Sequence, residues 1–356
     1  MIRRSLASTT TLAAIIAVLL IAQAPAAGQA QSPATKAAPA KTTPASGKSW
    51  TPPRTPDGKP DLQGVWTNNT VTPLERPKDL AAKEFYTEAE MQTLAKQERQ
   101  RLEQVEEEGQ PLANHSGVEG APADDVHYDF SQYGLDRAQA KLAWNRRTSI
   151  IVGPQGTVPP LTPDAGKRLA EIKAKAKGHE FDGPENLTLG TRCLARPNVG
   201  PPMLPSAYNS NLQIVQGAGY VAIETEMIHD VRIIPTDGRR HIPASIRQWY
   251  GDSVGHWEDN TLVIDTTNFT DLNPFKGAQN LHVIERLTRA DPDTILYQFT
   301  VEDPGTWTQP WSGELPITKI DGQLYEYACH EANYGLANTL RGARVAEEQA
   351  AKKSAQ

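Results

Sequence analysis

The chain has 356 residues, a formal net charge of −6 and a sequence pI near 5.8. No basic stripe interleaves with aromatic residues, which argues against a nucleic-acid partner. Neither Gly-x-x-x-x-Gly-Lys nor Gly-x-Gly-x-x-Gly occurs, so the phosphate-cradling loops of nucleotide cofactors are missing and no cofactor is expected.

Met1-Ile2-Arg3-Arg4, an apolar run from Leu12 to Ile21 and small residues from Ala22 to Ala30 follow the basic, apolar, small-residue order of a secretory signal. The apolar run is about ten residues, half the roughly twenty of a spanning helix, so no stable membrane insertion is expected. Cleavage after Ala24, Ala27 or Ala30 is open, as is the choice between the general and twin-arginine routes that Arg3-Arg4 raises. Residues 31–49 have linker composition, and folded sequence starts at Trp50. The expected location is periplasmic or secreted. There, the two cysteines, Cys193 and Cys329, most simply form one disulfide, stabilising by ~4 kcal/mol on the chain-entropy model. The alternative is a free nucleophilic thiol.

Past the turn Pro56-Asp57-Gly58 and the apolar Leu62–Trp66 run, Thr87 and Glu90 form a capping box that predicts a helix over 88–108. A short helix over 137–144 and a strand over 149–152 follow. Thr162 with Pro163 starts a helix that runs to about 177 and stops at Gly178. Residues 50–205 therefore read as a helix-and-loop arm wrapping what comes after it.

From 212 the texture changes to short β-runs, predicted at 213–216, 220–225, 228–234, 261–266, 281–288, 294–301, 312–319 and 324–329. Gly217-Ala218-Gly219, Asp237-Gly238, Asp259-Asn260, Asp291-Pro292-Asp293 and Asp321-Gly322 fall between them. Many strands without intervening helices predict a mainly β fold, an antiparallel lipocalin-like barrel or sandwich over 206–343, with 344–356 as a disordered tail. The clearest alternation sets Ile295, Tyr297, Phe299 and Val301 on one face.

Glu285 shares a strand face with Leu281, Val283 and Leu287. A carboxylate there either titrates as an acid or base or is neutralised by Arg286 or another arginine. Asp230 and Arg232 also share a face, as an ion pair or as a holder for an anionic substrate. Asp252, Ser253 and His256 lie together between predicted strands, but triad members normally come from distant positions. His229, His241 and His330 lack the spacing of a helical metal pair, so they either assemble a metal site through tertiary contacts or are neutral core or surface groups, and no metal is assigned. Trp257, Tyr297, Trp307, Trp311 and Tyr327 either fill the barrel or line a ligand pocket.

Pro60-Asp61-Leu62-Gln63-Gly64-Val65-Trp66, Gly251-Asp252-Ser253 with Gly255-His256-Trp257-Glu258, Thr261 through Phe269, Val301-Glu302-Asp303-Pro304 through Trp307, and Tyr327 through Tyr334 resemble a family of exported soil-bacterial proteins. That resemblance covers nearly the whole mature chain and brings no established activity. The C-terminal half is distantly similar to lipocalin-like barrels, a class holding transport proteins and cofactor-free lyases such as phenolic acid decarboxylases. The resulting expectation is a barrel that binds a small hydrophobic or aromatic molecule. The alternative is a cofactor-free lyase, isomerase or hydrolase using Glu285, Asp230, Arg232 and His330 around the same pocket. A third reading is a scaffold whose 88–108 helix contacts a partner.

Overall fold

Runs in which β-branched and aromatic residues alternate with polar ones form strands, because each presents one fillable face to its neighbours. The computed structural model describes residues 50–355 apart from 71, 81, 82, 95, 98–144, 207, 208, 274–279 and 332. The expected leader and linker, the helix over 137–144 and most of the helix over 88–108 lie outside the described residues. Positions 88–94 are helical.

Among the described residues, ten strands form one antiparallel sheet. They are β1 (Gly64–Thr67), β2 (Ile151–Gly153), β3 (Asn211–Gly217), β4 (Tyr220–Thr225), β5 (Asp230–Pro235), β6 (Asp252–Glu258), β7 (Thr261–Thr267), β8 (His282–Asp291), β9 (Thr294–Glu302) and β10 (Trp311–Lys319). The order is β5-β4-β3-β1-β10-β9-β8-β7-β6, with β2 paired to β10 off this path. The sheet curls until its two end strands meet, a nearly closed barrel. β5 and β6 are not joined by a ladder in this order, and Gly255 is what lets them come so close. A Cβ there would sit 2.9 Å from Ile234 Cγ2 and 3.2 Å from Thr236 Cγ2.

The predicted alternation of β9 holds: Ile295, Tyr297, Phe299 and Val301 are buried, facing Leu262, Ile264, Leu287, Leu315 and Ile317 in one core. Helix α1 (Pro163–Ala176) begins as expected, its Thr162 Oγ1 accepting the Ala165 N–H at 3.2 Å. On the outer face Arg147 reaches Glu314 of β10 at 3.0 Å and Glu84 at 2.8 Å, so chain from the N-terminal half does lie over the barrel wall.

Four expectations change. The N-terminal half is not only a wrapping arm: β1 is a stave of the barrel, seated between β3 and β10. Its four residues are too few for a periodic signal. Residues 252–258, read as a connection, form β6, whose Ser253, Gly255 and Trp257 turn inward among polar neighbours. The stretch 324–329 is not a strand, and the Cys193–Cys329 disulfide ties its end to the chain before β3. Positions 344–354, read as tail, are helical as the last turns of α2 (Tyr334–Ser354). Among the described residues no helix is long and apolar enough to cross a membrane.

Candidate functional site

β5 and β8 are not neighbours in the sheet, and inward side chains from them meet in the barrel interior. Arg232 and Glu285 do so as a two-pronged pair: Nη1 donates to Oε2 at 2.5 Å and Nη2 to Oε1 at 3.0 Å. Tyr297 Oη donates to the same Oε1 at 2.7 Å and accepts the Met203 N–H at 2.8 Å. Glu285 is 0 % exposed. Its neutralising partner is thus Arg232 and not Arg286, which sits on the other face of β8 and bonds Glu258. Burial works against the charge of Arg232, yet Glu285 outweighs it and keeps the guanidinium pKa above its ordinary value. Burial, and then the Glu285 charge, push the Tyr297 hydroxyl well up, so it stays a donor.

Asp230, two residues before Arg232, faces a recess lined also by Val199, Gly200, Ile223, Thr225 and Tyr250. The recess has room for about one water molecule. Burial raises the Asp230 pKa against the pull of the Val231 N–H and of Arg232. Burial likewise raises that of Tyr250, whose oxygen accepts the Arg196 N–H at 2.9 Å. A carboxyl that holds its proton above the usual range, beside a fixed cation and against apolar walls, can donate as well as accept.

Of the four candidate catalytic residues, the structure brings Asp230, Arg232 and Glu285 together and leaves out His330. That histidine is exposed beside Cys329 and does not line the recess. The aromatic candidates fill space. Tyr297, Trp307 and Trp311 belong to the main core, Trp307 and Trp311 meeting edge to face at 5.8 Å, and Trp257 packs against it. Tyr327 packs on a smaller cluster of Val199, Met227 and Ile228, where its carbonyl faces His229 Nδ1 at 2.9 Å. Cys193 and Cys329 are bonded to each other, which removes the free-thiol reading.

A second polar cluster, which sequence reasoning missed, lies on the outer face. His241 Nδ1 is 2.7 Å from Asp252 Oδ2, and its Nε2 is 3.1 Å from Asp265 Oδ1. His282 Nε2 is 3.1 Å from that same Oδ1, and its Nδ1 is 3.1 Å from Glu302 Oε2. The five residues come from the β5–β6 connection, β6, β7, β8 and β9. Their one sequence signal is that Asp252, His282 and Glu302 sit at strand ends with the outward parity of Asp265. Ser253, for its part, points the other way and bonds Thr266, so the Asp252, Ser253 and His256 grouping forms no triad. His229, His241 and His330 do not converge, and among the described residues no group of three or more His, Cys, Asp or Glu is arranged to hold a metal ion. Comparison with protein-family models, curated proteins and solved structures found no match to this chain.

Proposed function

We propose that this is an exported β-barrel protein, of the soil-bacterial family its motifs resemble, that binds a small hydrophobic or aromatic molecule at the barrel end marked by Asp230, Arg232 and Tyr250. The carrying observation is Asp230: a carboxyl perturbed by burial and aimed into a recess whose walls include Val199, Ile223 and Tyr250. Because aromatic side chains fill the interior, the ligand sits at the end of the barrel. Anything larger than water must displace the Val199–Gly200 wall. Export is supported by the leader sequence and by the Cys193–Cys329 disulfide.

The test is equilibrium binding of a panel of neutral aromatics and aromatic carboxylic acids to the mature chain and to Asp230→Asn. Saturable binding by the wild type, weakened about tenfold in the variant for the loss of one hydrogen bond of about 1.5 kcal/mol, supports the reading. Wild-type protein that binds no member of the panel sinks it.

A lyase, isomerase or hydrolase reading is favoured by one feature, the raised Asp230 pKa beside Arg232. In that case Arg232 would hold an anionic group and Asp230 would move the proton. Glu285, with its three hydrogen bonds inside the wall, would be a positioning residue for Arg232. Turnover of any panel member that survives Asp230→Asn unchanged rejects this role for Asp230.

A further inference from the structure

The outer cluster is continuous: Asp252, His241, Asp265, His282 and Glu302 alternate carboxylate and imidazole, and every imidazole nitrogen in it faces a carboxylate oxygen at 2.7 to 3.1 Å. A neutral imidazole has one N–H and one lone pair, and only the imidazolium donates from both nitrogens. With either ring neutral, one of these contacts sets a lone pair against a carboxylate oxygen. With both rings charged, four N–H groups meet four acceptor positions and three carboxylates surround two cations.

What the ladder holds is one part of the chain. His241 lies in the connection between β5 and β6, the two strands that meet without a ladder of their own. Beside it, the Ile242 N–H donates to Asp252 Oδ2 at 3.1 Å and the Ile242 carbonyl accepts from Asn268 Nδ2 at 2.9 Å. Further along, the Gln248 N–H is tied to the Asn268 carbonyl and Arg247 to the Phe269 carbonyl, a fastening that does not titrate. Arg239 is turned to Asp237 within the connection itself. Arg286 and Glu258 pair with each other further along the same outer face.

We propose that the five-residue ladder is a proton-operated latch, which holds the 238–246 part of the β5–β6 connection against the barrel while His282 is doubly protonated and releases it when that proton is lost. Nothing in it depends on what the recess binds. The electrostatics agree with the geometry. The hydrogen bond to Asp265, and then that to Glu302, raise the His282 pKa against burial. Burial disfavours the Asp265 charge, but His282 and His241 outweigh it and hold its pKa low. The contribution of His282 is present below its unfolded pKa of 6.5 and is lost as pH rises through its higher folded value. That of Asp265 is present above 3.8 and is lost as pH falls through its lower folded value. The latch is therefore closed in mildly acid solution and opens on the alkaline side.

The test is amide hydrogen exchange of the full mature chain near pH 5.5 and pH 9, corrected for intrinsic rates, read over 238–246 with β9 as internal reference. Protection of 238–246 relative to β9 is expected to fall about tenfold at the higher pH. In Asp265→Asn and in His241→Gln, each verified as folded by unchanged β9 protection, the segment is expected to be open at both pH values. Equal wild-type protection at the two pH values, or a pH response that survives in both variants, overturns the proposal. So does restoration of protection at the higher pH by micromolar Zn2+, which would make the ladder a metal site.

Discussion

Arg232 and Glu285 illustrate how little a single residue's value can be read without its partner. The pair is buried, so removing one member leaves an uncompensated charge inside the barrel. Arg232→Met alone is expected to destabilise by about 3–5 kcal/mol in chemical denaturation. Arg232→Met with Glu285→Gln should cost less than the single change, since glutamine still accepts from Tyr297 and no charge is stranded. A double variant weaker than the single one would refute this account. Asp230 gives a second prediction. Unfolded it titrates near 3.8 and folded it titrates higher, so between those values the native state binds the extra proton and stability falls as pH rises. Asp230→Asn should remove that slope, and a denaturation series from pH 4 to 7 would show a wild-type curve no steeper than the variant's if the carboxyl is not perturbed.

Among the elements, β9 was legible and β6 was not, for reasons visible in their residues. In β9 each buried position is apolar and each outward one polar, except Leu296, so period two stands out. In β6 the inward positions are Ser253, Gly255 and Trp257, and Gly255 has its role only because β5 happens to lie against it. Gly255→Val should overpack this seam, costing about 1–3 kcal/mol and raising hydrogen exchange in β5 and β6 ahead of β9. A variant as stable as the wild type would mean that the end strands do not touch in solution. The site divides in the same way. That Asp230 and Arg232 share a face follows from strand parity alone. The pairing of Arg232 with Glu285, 53 positions further on, needs the sheet to close. The outer ladder was harder still, since its five members lie on five different segments between 241 and 302.

At the scale of the whole molecule the disulfide joins the chain before β3 to the segment after β10, 136 residues apart, across the same end of the barrel as the recess. Reduction should therefore lower stability by about 4 kcal/mol, and exchange at 193–204 should rise first. Unaltered melting after verified reduction would rule out that contribution. The sequence by itself determined the succession of antiparallel strands, because it is written in period-two alternation and turn residues, and it made one Cys193–Cys329 disulfide the simplest pairing, because the chain has two cysteines and no more. Only the tertiary structure decided that Gly64–Thr67 is a stave, that aromatic side chains fill the interior, and which charges meet. Those outcomes depend on closing the sheet, which sets side by side residues that no local pattern relates.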